Sequence, residues 1–352
     1  MNVLFFGLGS VGQRHLRNLL KINPDARIAA IRKKGRLFEI GYDLQPDYNT
    51  DIVRKYKIEL FSSLKEAKAF NPDFAIVANP TSQHVPTALE LAANDIPIFL
   101  EKPISESFDQ LQDLVQLAQE RDVPIMVGYM MRFHPGAIKM KELIDNKKIG
   151  KIYSVILIVN SYMPSWHKYE QYNESYAGKK SLGGGVVVTE IHELDLLNWY
   201  FGSPQRLWAV GGKLSSLDID VEDTVGILFE QEFDREKFPI VINMSFAQKA
   251  MSRKMLIHGE RGKIEWDILA SKITVEDKAD NQQQVYDYPE FQRNDMFITE
   301  LKYFIECLNK KTEPSTSLNK VLGGHSTALA IKDSLDTKSI VEYPDVLRRV
   351  TV

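Results

Sequence analysis

NVLFFGLGSVGQRHLRNLL, residues 2–20, runs from a short apolar stretch through a glycine-punctuated turn into apolar residues at helical spacing. Gly7, Gly9 and Gly12 stand in G-x-G-x-x-G order between the expected strand and the expected helix. In that context the first glycine permits the tight turn, the second lets backbone approach a pyrophosphate, and the third allows close helix packing. Ser10 and Val11 open the helix, whose unpaired N–H groups and positive dipole end favour a phosphate. The motif points to dinucleotide binding, against the plainer alternative of a glycine-rich turn.

Outward from this turn, strand-like and helix-like patterns alternate. ARIAAIR, FAIVAN, PIFLE and PIMVGY read as strands, and SLKEAKAF, HVPTALELAAN and SFDQLQDLVQLAQER as helices, with a less regular stretch up to Phe61. Such alternation predicts a doubly wound parallel sheet, here a Rossmann domain over residues 1–125. Residues 126–352 read differently: a helix near GAIKMKELIDN, a strand IYSVILIV, a helix TEIHELDLLNWYF, then successive strand-like runs from RLWAVGGKL to KITVED. With only turns between them, neighbouring runs are expected to pair antiparallel. The second domain is therefore expected to be α/β with a largely antiparallel sheet, serving substrate binding and oligomerisation. Helices near 296–309 and 317–336 end the chain, and EDKADNQQQ reads as a hairpin turn.

Composition excludes several classes. Forty-four basic against 47 acidic residues give a net charge of −3, and no basic block is long enough to track a phosphate backbone, so nucleic acid is not an expected partner. No apolar run approaches the length of a membrane span. A single cysteine, Cys307, and an N-terminus without a signal-peptide pattern lead to the expectation of a cytoplasmic protein.

Ligands of open parallel sheets lie outside the carboxyl ends of the strands. Three segments are expected there besides the glycine turn. Arg32, Lys33 and Lys34 follow the second strand, where NAD enzymes carry an acid; cations at that place favour a 2′-phosphate, hence NADP slightly over NAD, unless the turn is only solvated. NPTSQH brings Asn79, Pro80, Thr81 and His84 to the nicotinamide end. FLEKP brings Glu101 and Lys102, with Pro103 holding the lysine extended and a cis bond undecided by sequence. Lys102 is suited to proton exchange with a substrate hydroxyl; a surface Glu–Lys pair is the alternative.

GLGSVGQRH, NPTSQH, EKP, GYMMRFHP and GGG followed by a histidine helix, in this order across nearly the whole chain, resemble the Gfo/Idh/MocA oxidoreductases, the family of glucose–fructose oxidoreductase and inositol 2-dehydrogenase. The resemblance implies alcohol–ketone redox with NAD or NADP on a sugar, cyclitol or sugar nucleotide, a catalytic role for Lys102, and a catalytic histidine at His192. Many members carry an aspartate one turn before that histidine, and here Thr189 stands instead. A threonine offers no charge, so His192 is expected to sit close to its ordinary pKa, with Glu193 or Asp195 sharing the work, or Lys102 acting with His192 alone. The helix reads as two-faced, with Ile191, Leu194, Leu197 and Phe201 toward the core and Thr189, His192, Leu196 and Trp199 toward a site. His192 and Asp195 lack a convergent third ligand, so no metal is expected.

Residues 161–181 are long for a loop, and Trp166 and Tyr176 among its aromatics are expected to stack on substrate, with local packing as the alternative. Arg132 either binds substrate or pairs with an acid. The expected function is hydride transfer between a nicotinamide and a secondary alcohol or ketone of a sugar or sugar nucleotide. A non-catalytic dinucleotide-binding sensor, and redox-assisted elimination or hydrolysis with tightly held NAD, are the alternatives. A homo-dimer or homo-tetramer is expected, mainly from the resemblance.

Overall fold

Val3 and Phe5 point to one side of the first strand and Leu4 and Phe6 to the other, and all four are buried, as a strand covered on both faces requires. The computed structural model describes residues 1–32, 37–278 and 282–350. The strand Asn2–Phe6 lies at the centre of a six-stranded sheet, between Arg27–Ile31 and Phe74–Val77. Glu59–Phe61 forms one edge, and Ile98–Leu100 and Ile125–Val127 continue the other side. Every pairing is parallel. The sheet thus runs past the expected end at residue 125. The irregular stretch before Phe61 contains a small hairpin, Phe38–Ile40 with Pro46–Asp51.

One layer of this unit comes from far along the chain. The helix Arg293–Lys310 buries Leu301, Phe304 and Ile305 against Val3, Phe5, Phe74 and Phe99. Phe304 meets Phe74 and Phe99 edge to face at 5.4 and 5.6 Å. Each such side chain, fully buried, contributes on the order of 1.5–3 kcal/mol. The expected division at 125/126 is corrected to that extent: a helix from the second half of the chain completes the first half's core.

Among the described residues the second sheet has nine strands and is antiparallel except at one place. Glu236–Ser245 and Ala247–Gly259, separated by Phe246 alone, do not pair with each other as expected. The strand Ile152–Tyr162 lies between them, parallel to the first and antiparallel to the second. Register breaks between Ala247 and Ser252, so the chain passes around the end of the inserted strand. The inner face packs on the helices Pro135–Asp145, His192–Phe201 and Leu318–Thr337. The outer face carries Trp208, Leu228, Val241, Ile156 and Leu256 in one cross-strand row. The first four are 36–47% exposed, which makes this a continuous apolar strip with no cover of its own. The hairpin expected at EDKADNQQQ is flanked by the paired strands Lys272–Asp277 and Gln282–Asp287; its tip, 279–281, is outside the described residues. No helix among the described residues is long and apolar enough to cross a membrane.

Candidate active site

Strand order in the parallel sheet reverses between Asn2–Phe6 and Phe74–Val77, which opens a crevice at their carboxyl ends. The glycine turn and the Ala78–Asn79 segment face each other across it. Gly7 has φ +97°, and a Cβ built on it would lie 2.4 Å from the Ala78 carbonyl oxygen; on Gly12 it would lie 2.2 Å from that of Gly7. These two glycines are required by the protein's own packing. A Cβ on Gly9 would meet nothing within 4 Å, and no side chain caps the helix Ser10–Ile22 that begins behind it. An open cradle of this kind, edged by free N–H groups at Ser10, Val11 and Gly12, fits a dinucleotide pyrophosphate. Arg32 directly follows the second strand, its N–H donating to the Phe61 carbonyl at 3.3 Å. Lys33 lies outside the described residues.

The neighbouring strand ends are locked to one another. His84 is buried with Nδ1 at 2.6 Å from the Pro103 carbonyl and Nε2 at 2.9 Å from the Asn79 carbonyl. It ties the loops that follow two neighbouring strands together and has no nitrogen left for a cofactor, which corrects its expected role. Thr81 is likewise buried, packed where a Cβ on Gly183 would come within 2.8 Å. Asn79 donates to Thr87 at 3.0 Å, while its buried Oδ1 has no partner. Glu101 turns inward to His15 Nε2 at 2.6 Å and accepts the Lys102 N–H at 3.2 Å. Its carboxylate therefore braces the turn instead of reaching a cofactor. The Lys102–Pro103 bond is cis.

Lys102 crosses from the parallel sheet to the other half of the molecule. Its Nζ donates to the Thr189 carbonyl at 2.8 Å. That carbonyl is free because the expected continuous helix is broken into Val186–Thr189 and His192–Phe201. The three glycines before it set its entry. Gly183 and Gly185 have positive φ, and Cβ atoms on Gly184 and Gly185 would strike the Tyr176 carbonyl and the Glu222 carboxylate. The two-faced pattern expected from the sequence is also corrected: Leu196 is as buried as Leu194 and Leu197, and Thr189 belongs to the preceding segment.

His192 lies directly after the break and is 5% exposed, its ring 6.1 Å from that of Tyr129. Its Nδ1, the Thr189 hydroxyl and the Tyr129 hydroxyl are all buried without hydrogen-bond partners. Burial first, then the positive charges of Lys102, Arg253 and Arg293, push the His192 pKa well below its usual value. The expectation of an ordinary pKa is wrong. It weighed the absent aspartate but not the cations that the fold gathers around the ring. Glu193 and Asp195, the other expected candidates, are each engaged by an arginine. Glu193 is bound to Arg253, and Asp195 takes both Nε and Nη2 of Arg132 at 2.7 Å. Arg132, 8% exposed and also over the Trp199 ring, is engaged in the core, so the second of its two expected roles applies.

The segment 161–181 is folded into four short 3-10 turns. Trp166 stands edge-on to Phe246 at 4.9 Å, and Tyr176 is half-buried against the core. Both spend part of their surface on packing, the alternative to stacking, and keep part of it exposed. Sequence reasoning missed Tyr129, Glu190, Arg253 and Arg293 around His192. Only Arg293 carried a local signal: a cation at the first position of a helix, where the dipole disfavours it.

The profile described as "Oxidoreductase family, NAD-binding Rossmann fold" matches residues 1–129, and that of the "GFO/IDH/MocA C-terminal domain" matches residues 137–265. The myo-inositol 2-dehydrogenase of Thermotoga maritima is 24% identical over 99% of this chain and 100% of its own. The 2,7-anhydro-N-acetylneuraminate hydratase of Mediterraneibacter gnavus is 27% identical over 74% of this chain and 66% of its own. The crystal structure of the WlbA dehydrogenase from Bordetella pertussis, in complex with NADH and UDP-GlcNAcA, covers 97% of this chain and 98% of its own with a TM-score of 0.78. At 20% identity that likeness shows the fold alone.

Proposed function

Because the chain belongs to the Gfo/Idh/MocA oxidoreductase family, we propose that it interconverts a secondary alcohol and a ketone on a sugar or sugar derivative with a nicotinamide cofactor. The observation that carries this is the Lys102 Nζ bond to the Thr189 carbonyl. It sets an amine from the edge of the dinucleotide crevice against the segment that leads into His192. Gly9 with the N–H groups of residues 10–12 would hold the pyrophosphate, and Asn79, Pro80 and Lys102 would border the nicotinamide. A bound nicotinamide would supply the hydride acceptor for the alcohol carbon, or the hydride donor for the ketone.

Lys102 exchanges the proton at the reacting oxygen. As an amine it takes the hydroxyl proton in oxidation, and as an ammonium it returns it in reduction, which balances the hydride. His192 stays neutral, because an imidazolium so disfavoured by burial and three cations holds a proton poorly. Its part is to orient the hydroxyl. Thr189, uncharged, leaves that state undisturbed where an aspartate would favour the imidazolium.

Arg32 at the ribose end favours NADP at least equally with NAD. A sugar nucleotide is the preferred substrate, supported by its presence in the WlbA structure. The exposed row from Trp208 to Ile156 supports a homo-oligomer that covers the outer sheet face, and the protein is taken to work in the cytoplasm. The hydratase among the relatives favours a second course, in which the same Lys102 and cofactor oxidise and re-reduce one substrate around an elimination.

Lys102→Met tests the first. Turnover across a panel of sugars and sugar nucleotides should fall roughly 10²- to 10⁴-fold with cofactor affinity nearly intact. Full activity in the variant would remove Lys102 from the chemistry. Product formation without net cofactor reduction would select the second course.

A further inference from the structure

His15 is a polar side chain in an apolar setting. It lies about one turn past Gly12 on the buried side of the helix Ser10–Ile22 and is fully enclosed, its ring edge-on to Phe99 at 4.9 Å and to Phe297 at 5.8 Å. Neighbours of that kind suit leucine or phenylalanine, and a polar group among them destabilises unless it is hydrogen-bonded. The His15 Nε2 lies 2.6 Å from the Glu101 carboxylate, and Nδ1 has no partner among the described residues. A carboxylate can only accept, so the ring donates from Nε2.

Glu101 hands this contact on to the next residue. One of its oxygens takes the His15 N–H, and the other accepts the Lys102 backbone N–H at 3.2 Å. Its own backbone N–H donates to the Val77 carbonyl at 2.9 Å. A Cβ built on Gly128 would come within 3.3 Å of the same carboxyl group, so the neighbouring strand end blocks it on that side. Lys102 is then held at both ends, at its N–H by Glu101 and at its Nζ by the Thr189 carbonyl at 2.8 Å. A chain of contacts thus runs from the helix that opens on the pyrophosphate cradle, through His15 and Glu101, to the amine at Thr189. Buried acid–base pairs are poor stabilisers, since apolar residues of similar volume commonly serve as well. What such a pair adds here is direction, because hydrogen bonds to an ionised group are short and oriented.

We propose that His15 is a positioning residue: through Glu101 it fixes Lys102 against Thr189 and so couples the nucleotide helix to the proton-exchanging amine. The assignment rests on the function proposed above, in which Lys102 moves the proton. A displaced amine loses its alignment with the reacting hydroxyl, and a shift of about 1 Å at such a group lowers the rate by up to roughly 100-fold.

The test compares His15→Gln, whose amide N–H reaches about as far as Nε2, with His15→Asn, equally polar but too short to meet Glu101. Turnover per folded molecule is measured at saturating NAD⁺ on the best-used member of the sugar and sugar-nucleotide panel. His15→Asn should lower kcat roughly 10- to 100-fold, with KM and NAD⁺ affinity near wild type, and His15→Gln should recover most of it. In a Lys102→Met background, His15→Asn should lower turnover no further, because its effect passes through the amine. Crystal structures of the NAD⁺ complexes should show Lys102 Nζ away from the Thr189 carbonyl in His15→Asn and on it in His15→Gln. Wild-type kcat in folded His15→Asn, an equal further loss in the Lys102→Met background, or an unmoved Lys102 would each overturn the assignment, and lowered melting temperature alone would make His15 a core residue only. Full turnover in Lys102→Met would instead fail the proton role of Lys102, and the lysine's place in the crystals would still judge the contact chain.

Discussion

Gly9→Ala and Gly12→Ala separate the two kinds of glycine in the nucleotide turn. At Gly12 the new methyl would lie 2.2 Å from the Gly7 carbonyl oxygen, well inside the 3.0 Å that real Cβ contacts respect. The obstructing atom is backbone and cannot swing aside, so the helix Ser10–Ile22 must move off its strand. Overpacking of that kind destabilises by about 1–3 kcal/mol. At Gly9 the methyl meets nothing within 4 Å, and the backbone, φ −74° and ψ −166°, suits alanine. Folding should then be unchanged or favoured by about 0.4–1 kcal/mol, since alanine has less freedom to lose. The same methyl fills the space that a pyrophosphate would approach. Cofactor affinity should fall at least roughly 10-fold, or about 1.4 kcal/mol. Thermal or urea unfolding without ligand, followed by titration of NAD⁺ and NADP⁺, reads both effects. A Gly9→Ala protein that binds cofactor like wild type would refute the assignment of the cradle, and an undiminished stability of Gly12→Ala would refute the packing account.

Arg32→Ala should weaken NADP⁺ roughly 10- to 100-fold and leave NAD⁺ unchanged, measured by titration of each; an equal effect on both, or on neither, removes Arg32 from cofactor choice. Arg132→Met should destabilise by about 3–5 kcal/mol in urea unfolding, because it strands the fully buried Asp195 carboxylate. A much smaller loss would mean that Asp195 finds another partner or a proton. Acid should destabilise the protein through buried histidines. His134 is held at about 4 and His325 at about 3, chiefly by burial, against 6.5 when unfolded. The unfolded chain binds the proton first, so each contribution is complete above pH 6.5. Each is lost at up to about 1.4 kcal/mol per pH unit as pH falls toward those lower values. Stability that stays flat between pH 7 and 4.5 would contradict this.

The parallel sheet was legible because its signals are local. A strand buried on both faces must be apolar throughout, a tight turn against a second loop needs glycine, and both marks are present at residues 3–12. The same holds for Lys102: a strand end followed by proline puts it at the carboxyl edge from chain order alone. Lys33 and the tip of the last hairpin are left with their sequence-based expectations. Where tertiary contacts compete with local pattern, the sequence misled. The apolar and polar spacing of residues 189–201 suits one continuous helix, yet a break after Thr189 frees the carbonyl that Lys102 uses. Asp195 and Arg132 are 63 positions apart, and nothing nearby in the chain tells that each is consumed by the other.

By itself the amino-acid sequence determined the two sheet types, the nucleotide turn and the place of Lys102 at a strand end. These follow from periodicity, glycine sterics and the order of elements, all of which act over a few residues. Only the tertiary structure decided which charges surround His192, because Arg253 comes from a strand and Arg293 from a helix more than fifty residues away. Coulomb interactions depend on distance in space and on burial, neither of which is written in spacing along the chain. The lowered pKa of His192 is therefore a property of the packed molecule.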